Sequence, residues 1–411
     1  MIGGGGREHA LAWKLAKHGA EVYAAPGNPG IAQIATCIPI PDYLAAAESI
    51  HADLTVVGPE APLAGGIVDR FRQAGRLIVG PTAAAARLES SKAFAKEFMQ
   101  RAGIPTAGFV AVESEQEAHE ALRRFRMPVV VKADGLMAGK GVVIAQTEGE
   151  ARQAIAQLLT PGSQIVIEEF LEGEEVSFIV LSDGCRVVAF DASQDHKAVG
   201  DGDTGPNTGG MGAYTDGRIL NEGESERVME EVIEPAIDLM RADGTPFTGF
   251  LYAGLMMTAD GAKVLEFNAR LGDPETQVLL HRMRSDFVPF LESAARGQLC
   301  DAKLEWSADP SVCVVMAAAG YPGAVRSGDV INGLLEVRHA TVFQAGTKLL
   351  KNDLVTAGGR VLGGTASGHD LETAIQNAYA DVNKIRFDGM HYRHDIGQKG
   401  LKRWDSLLRS M

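Results

Sequence analysis

The amino-acid sequence predicts a multidomain protein of mixed α/β and α+β class, and three observations carry that reading. The chain has 411 residues, 45% hydrophobic and 22% charged, enough for about two to four cored domains at roughly 100–200 residues each. Over residues 1–85 short apolar strands alternate with amphipathic helices, the pattern of a parallel α/β sheet. Farther on the strands come in pairs, Val129–Lys132 with Val142–Ile144 and Gly249–Met257 with Ala262–Phe267, which suits α+β layers. The expected division is 1–85, 86–298 (with a flap-bearing subdomain at 112–180) and a small α+β domain at 299–411.

Each element has its local reason. Gly3-Gly4-Gly5-Gly6 opens a helix, Arg7 to His18, that Gly19 closes. Only Met1 and Ile2 precede the glycines, so the strand that should feed this turn is expected to be missing. Glu21–Ala25 reads as a strand and 26–30 as a loop. Asp53–Val57 is a strand ending in Gly58-Pro59-Glu60, followed by a helix at about 62–74 and a strand at 76–79. Glu89–Ala102 reads as one helix, stopped by Gly103 and Pro105. Gln164–Phe170, Glu175–Leu181 and Arg186–Phe190 have strand patterns. Residues 193–217 are polar and aperiodic and read as one long loop, a length that is usually functional or disordered. A helix follows at about 224–241, helical segments continue to about 296, and short strands return from 310.

The balance of charge and the cysteines exclude several functions. A net charge of −14 argues against nucleic acid as a partner, because phosphate backbones are met by basic surfaces. It leaves room for a small phosphorylated ligand in a local basic pocket. Cys37, Cys185, Cys300 and Cys313 are widely spaced with no C-x-x-C pair, so neither a disulfide framework nor a structural zinc site is expected. No apolar run reaches the roughly 18 residues of a membrane span, and no signal peptide is expected. A cytoplasmic protein fits these features.

Glycine is the outlier: 48 residues, about 19 more than the roughly 7% of average proteins implies. Gly3–Gly6 presents helix N-terminal amides that suit a phosphate or another polar group, or form a plain tight turn. It is not a dinucleotide fingerprint, since Glu8 stands at the third glycine position and Ala24-Ala25-Pro26 ends the second strand without an acid. Lys132-Ala133-Asp134-Gly135-Leu136-Met137-Ala138-Gly139-Lys140-Gly141 resembles a P-loop but has Asp134 and Gly141 where Gly and Ser or Thr belong. It lies between two strands, so it reads as a hairpin flap over phosphates or an ordinary surface hairpin. The 193–212 loop, rich in Gly, Asp, Lys and Asn, suits a ligand site or a solvated linker. In Val264-Leu265-Glu266-Phe267-Asn268-Ala269-Arg270, residues two apart share a strand face. Glu266 and Asn268 thereby offer hard oxygen donors for Mg²⁺, and Arg270 continues that face towards a transferring phosphoryl group. A surface strand with an ion pair is the plainer alternative.

Taken in order, twelve segments resemble the glycinamide ribonucleotide synthetase (phosphoribosylamine–glycine ligase) family of the ATP-grasp superfamily. They include GGREHALAWKL (5–15), APGNPG (25–30), DLTVVGPEAPL (53–63), SKAF (91–94), KADGLMAGKGV (132–142), EEFLEGEEVSF (168–178), SQDHKAVGDGDTGPNTGGMGAY (193–214), TGFLYAGLM (248–256) and LEFNARLGDPETQ (265–277). VVMAAAGYPG (314–323), FQAGTK (343–348) and GGRVL (358–362) carry the resemblance into the tail. It implies an N-terminal α/β domain, an ATP-grasp module whose two halves clamp ATP, and a C-terminal domain. It implies the reaction of ATP, glycine and 5-phosphoribosylamine to ADP, phosphate and glycinamide ribonucleotide through glycyl phosphate, by a monomer or weak homodimer.

The resemblance also implies roles. Lys92 and Lys132 would contact ATP phosphates while the loop with Gly135, Gly139, Lys140 and Gly141 closes over them. Glu168, Glu169, Phe170 and Leu171 would form the hinge at adenine, and Glu174 or Glu175 would take the ribose hydroxyls. Glu266 and Asn268 would hold Mg²⁺ or Mn²⁺. Gly272, Asp273 and Pro274 would seat glycine, Asp273 attracting its ammonium. Gly5, Gly6, Gly58, Pro59 and Glu60, with Asp195, Lys197, Thr208, Gly209 and Gly210, would receive phosphoribosylamine. Arg270, Lys132 and Asp273 would carry catalysis, which needs positioning and charge neutralisation and no nucleophilic side chain.

Two departures stand out: Met137 replaces an expected smaller residue, and Phe250–Met257 has no carboxylate to serve as a third metal ligand. The rival readings are another ATP-grasp enzyme with a phosphoribosyl substrate (a formate-using transformylase or an aminoimidazole ribonucleotide carboxylase), an NAD-dependent dehydrogenase, and a non-catalytic nucleotide-binding protein. The FNARLGDPETQ run and the 193–214 loop favour the glycine ligase over the first. The broken fingerprint disfavours the second, and the joint presence of Glu266, Asn268 and Arg270 disfavours the third.

Overall fold

A computed structural model describes residues 1–39, 42–137, 141–301 and 303–410, with side chains through residue 404. The N-terminal layer is parallel. Ile2–Gly3, Tyr23–Pro26 and Thr36–Cys37 form one small sheet, Thr55–Val56 pairs with Ile78–Val79, and Ile2 bridges to Val57. The strand expected to be missing is therefore present, in two residues. It is that short because its pairing needs only the Ile2 and Gly3 backbones, while the Met1 ammonium donates to Tyr23 O at 2.7 Å and the Ile2 side chain is buried.

Two predicted helices are broken. The 62–74 segment divides into Glu60–Ala64 and Ile67–Gln73 at Gly66, whose φ is +79°. Glu89–Ala102 divides at Ser91, which is extended and uses its hydroxyl to accept from Phe94 N at 3.1 Å. A serine that caps competes with helix continuation and starts a new helix at Lys92.

The two larger sheets position the site. A nine-stranded antiparallel sheet runs Gly261–Asn268, Thr248–Thr258, Glu174–Asp183, Ser193–Asp195, Gly212–Thr215, Ser311–Ala317, Arg360–Ser367, Thr341–Gln344, with Val187–Ala189 attached to Glu174–Asp183. It thus continues from residues 174–268 into 311–367. The 193–217 stretch contains four short strands, not one loop. Two join this sheet and two, Ala198–Gly200 and Thr204–Asn207, pair with each other. Periodicity was absent because polar residues occupy buried strand positions: Ser193, Gln194 and Thr215 are all buried.

A second antiparallel sheet orders Phe109–Val112, Ile165–Glu169, Val129–Ala133 and Val142–Ala145. Its own core is Val129, Val131, Ile165 and Ile167 against Ala118, Leu122 and Ile155. The main core joins Phe178, Phe247, Leu251, Phe267 and Val312, each such side chain worth about 1.5–3 kcal/mol of burial. No helix among the described residues is long and apolar enough to cross a membrane.

Candidate active site

Between the two sheets lies a cleft of about 560 Å³. Strand alternation explains one wall. Val129 and Val131 point into the small core, so Val130 and Lys132 face the cleft. Glu168 on the paired strand reaches two ammonium groups, Lys96 at 2.9 Å and Lys132 at 3.0 Å. Lys132 also donates to Leu265 O at 3.1 Å, and Lys96 to Thr106 Oγ1 at 2.7 Å. Lys92 donates to Gly135 O at 2.8 Å. Two lysines thus share one carboxylate, and a third, Lys92, lines the same cleft. Burial, reinforced by neighbouring Lys132 and opposed by Glu168, lowers Lys96 to about 8. Asp134 fastens the base of the flap to the Lys92–Ala102 helix, accepting from Ser91 Oγ and Ala93 N, both at 3.1 Å. Met137 is partly exposed beside Gly141, while Gly139 and Lys140 lie outside the described residues. Met99, Val130, Ile144, Leu171, Met256 and Leu265 give this end an apolar lining, with Glu169 and Phe170 at its edge.

In the middle stand Glu266 and Asn268, both lining the cleft. Burial pushes the Glu266 carboxyl up, but Lys197, Lys132, Lys92 and Arg270 outweigh it and hold the group below its ordinary value. Asn268 Oδ1 accepts from Arg270 at 3.1 Å. Arg270 is gripped by Glu89 at 3.0 Å and Glu60 at 3.4 Å, and Glu89 Oε2 accepts the Ala269 amide at 2.8 Å. An ionised carboxylate with an amide oxygen is a hard donor pair that fits Mg²⁺ or Mn²⁺ if phosphate and water complete the shell. Among the described residues no group of three His, Cys, Asp or Glu side chains is arranged to hold a metal alone.

The far end is built from loops. Asp273 accepts from Gln277 Nε2 at 2.8 Å and lies 3.4 Å from Arg360. Burial raises its carboxyl, yet Arg360, Arg7 and Gln277 hold it low. Arg360 also donates to the carbonyls of Gly209 and Asp273, and Gly209 N donates to Tyr321 Oη at 3.0 Å. Lys197 pairs with Glu175 at 2.8 Å. Tyr252 donates to Glu275 at 2.7 Å.

Three family profiles match in order. They are described as the phosphoribosylglycinamide synthetase N domain (residues 1–89), ATP-grasp (A) domain (90–276) and C domain (311–399). The chain belongs to the phosphoribosylglycinamide synthetase family. A curated relative from Ralstonia nicotianae, a phosphoribosylamine–glycine ligase, is 51% identical over 418 residues, covering 98% of this chain and 99% of that one. A crystal structure of phosphoribosylamine–glycine ligase from Thermotoga maritima superposes with a TM-score of 0.87 at 35% identity, covering 96% and 98% of the two chains. The biotin carboxylase domain of Hydrogenobacter thermophilus 2-oxoglutarate carboxylase, solved with MgADP, ADP and bicarbonate, has a TM-score of 0.72 at 16% identity, covering 95% and 90%. That last likeness shows the fold alone. The chain is thus an ATP-grasp carbon–nitrogen ligase by family.

Against this family background the predicted residues sort by place. Lys92, Lys132, Gly135, Gly141, Glu168, Glu169, Phe170, Leu171, Glu175, Glu60, Asp195, Lys197, Thr208, Gly209, Glu266, Asn268, Arg270 and Asp273 all line the cleft. Gly5, Gly6, Gly58, Pro59, Gly210, Gly272 and Pro274 do not line it themselves. Glu174 is turned away: it pairs with Arg403 of the C-terminal helix at 3.0 Å, because neighbours on a strand face opposite sides. The Gly5 amide is not free for an anion, since it donates to Glu8 Oε2 at 2.5 Å. A Cβ on Gly58 would lie 2.0 Å from Glu8, so that glycine makes room for this carboxylate. Sequence reasoning missed Arg7, Glu89, Lys96, Tyr252, Glu275, Tyr321 and Arg360. Lys96 was findable, one helical turn after Lys92 and on the same face. Glu275, Tyr321 and Arg360 stood inside quoted motifs without an assigned role.

Proposed function

We propose that the chain ligates glycine to 5-phosphoribosylamine, with ATP converted to ADP and phosphate, as a step of de novo purine synthesis in the cytoplasm. One observation carries the reading: a single cleft runs from a lysine-rich, apolar-lined slot, past Glu266, Asn268 and Arg270, to a loop-built end holding Asp273. The slot suits a nucleotide, with Met99, Val130, Leu171 and Met256 about the base, Glu175 near the ribose and Lys92 and Lys132 at the phosphates. Glu266 and Asn268 would hold Mg²⁺ or Mn²⁺, which when bound neutralises phosphate charge.

A carboxylate is a poor acyl donor. Attack of a glycine carboxylate oxygen on the γ-phosphorus expels ADP and gives glycyl phosphate, whose leaving group is phosphate. Arg270, fixed by Glu60 and Glu89, places positive charge where the phosphoryl group transfers. Asp273, oriented by Gln277 and Arg360, would receive the glycine ammonium. The nitrogen of phosphoribosylamine then attacks the acyl carbon. We assign the chain three segments, 1–85, 86–298 and 299–411, with Arg360 and Tyr321 of the last reaching the acceptor end. Phosphate release with ATP, Mg²⁺, glycine and freshly generated phosphoribosylamine tests the proposal. Release that does not require both glycine and phosphoribosylamine would refute it.

A further inference from the structure

Amide formation leaves a question that phosphoryl transfer does not. The attacking nitrogen must lose a proton as the C–N bond forms, and the cleft must offer a place for it. Most carboxylates on the acceptor side of Glu266 are already engaged. Glu60 and Glu89 grip Arg270, and Asp273 is held by Gln277 and Arg360. Glu275 Oε1 receives the Tyr252 hydroxyl at 2.7 Å and lies 3.2 Å from the Ser177 hydroxyl. Asp195 differs. Its Oδ1 accepts only the His196 amide, at 2.7 Å, and its Oδ2 has no hydrogen-bond partner among the described residues, although the residue lines the cleft.

Its position is fixed by the glycine loop. Gly210 has φ +109°, and a Cβ there would lie 2.7 Å from Asp195 Oδ1, 3.0 Å from Oδ2 and 2.5 Å from Pro274 Cδ. Asp195 therefore stands against the Asp273-Pro274-Glu275 turn. In glycine one carbon separates the ammonium nitrogen from the acyl carbon. If Asp273 takes the ammonium, a group on the neighbouring side of this turn stands beside the acyl carbon.

We propose that Asp195 is the base that takes the proton from the attacking nitrogen of phosphoribosylamine, with Glu275 as the fixed charge beside it. The N–H bond breaks towards an Asp195 oxygen, the nitrogen lone pair forms the C–N bond, and phosphate leaves with the electrons of the acyl C–O bond. Burial and the charge of Glu275 raise the Asp195 carboxyl above its ordinary value, with Lys197, the His196 amide and Arg360 pulling the other way. A carboxylate raised in this way is a better proton acceptor near neutral pH. Tyr252 faces the same pair and is held protonated by burial and by Glu275.

This inference rests on the ligase reading, and the two fail differently. In wild-type enzyme with ATP and glycine alone, reversible glycyl phosphate formation scrambles ¹⁸O between the β,γ-bridge and the β-nonbridge positions of ATP. If no glycine-dependent scrambling occurs, the ligase reading fails first. Given that exchange, Asp195→Asn is expected to keep it within about threefold while glycinamide ribonucleotide formation slows by about 10²–10⁴-fold. Asp195→Ala, the second variant, is expected to regain amide formation with added formate in a concentration-dependent way. Amide formation within about threefold of wild type in Asp195→Asn overturns the proposal. So does loss of the exchange together with amide formation in a variant that melts like wild type, and so does failure of formate to restore Asp195→Ala.

Discussion

The two ends of the cleft solve opposite electrostatic problems. At the nucleotide end Lys96 and Lys132 share the carboxylate of Glu168 while Lys92 is held by the Gly135 carbonyl, a set of three ammonium groups suited to a polyanion. At the acceptor end cations are matched: Arg7 by Glu8, Arg270 by Glu60 and Glu89, Arg360 by Asp273. A zwitterion and an amine need fixed dipoles and placed charges, not a reservoir of one sign. The first end is arranged for a polyanion, whereas the second is preorganised by its own ion pairs.

Glu266 joins the two ends, and its loss is expected to have the largest effect. Glu266→Ala should reduce kcat by about a thousandfold or more, on the scale of removing one preorganised transition-state contact or beyond, with an unchanged melting temperature. Phosphate release and thermal melting check both halves. Wild-type turnover would remove Glu266 from the metal role and with it the division of the cleft.

Glu89 tests the preorganised end. Removing it strands part of the Arg270 guanidinium and the Ala269 amide. Breaking a buried pair costs about 3–5 kcal/mol, and the lower figure is expected for Glu89→Ala because Glu60 remains. Urea unfolding measures it, and a change under about 1 kcal/mol would mean that Arg270 does not depend on its partners.

These two residues also mark what the sequence makes legible. Glu266 was visible because strand alternation alone places it with Asn268, and Lys132 because it ends the strand that runs into the Gly-rich loop. Glu89 was not, because its partner lies 181 positions away (270 − 89) and no local period encodes such a pairing. The 193–217 segment misled because its strands carry Ser, Gln and Thr inward, so burial left no apolar signature. Glu8 was read only as the residue that breaks a nucleotide fingerprint. In the fold it closes the helix N-terminus that an incoming anion would otherwise meet.

Buried histidines and lysines should also give stability a two-limbed response to pH. Burial lowers His9, His196 and His281 to about 4 from 6.5. The unfolded chain then binds more protons between these values, so this stability is complete above about pH 6.5 and is lost as pH falls towards 4, by up to about 1.4 kcal/mol per pH unit for each histidine. Lys96 is lowered to about 8 from 10.5. Here too the unfolded chain binds more protons between the two values, so stability rises from pH 8 to 10.5. Lys14, lowered to about 8 by burial and Lys17, adds to that rise. Urea midpoints across pH should show both limbs. His281→Gln should flatten the acid limb by one proton and leave the alkaline one, and Lys96→Met should do the reverse. An unchanged alkaline limb in Lys96→Met would mean that Lys96 stays charged throughout.

The smallest expected effect separates two adjacent glutamates that sequence reasoning left equivalent. Glu175 lines the cleft and pairs with Lys197, while Glu174 pairs with Arg403 on the outer side. If Glu175 accepts a ribose hydroxyl, Glu175→Gln loses a charge-assisted hydrogen bond of about 1.5–3 kcal/mol, a rise of roughly ten- to a hundredfold in KM for ATP. Glu174→Gln loses only a partly exposed pair worth about 0–1 kcal/mol of stability, and KM for ATP should stay within about twofold. Steady-state kinetics on the two variants decide the matter. A larger effect at Glu174 would require the strand to turn its other face to the nucleotide, which the pairing of Glu174 with Met257 and Glu175 with Met256 forbids without a one-residue slip of the register.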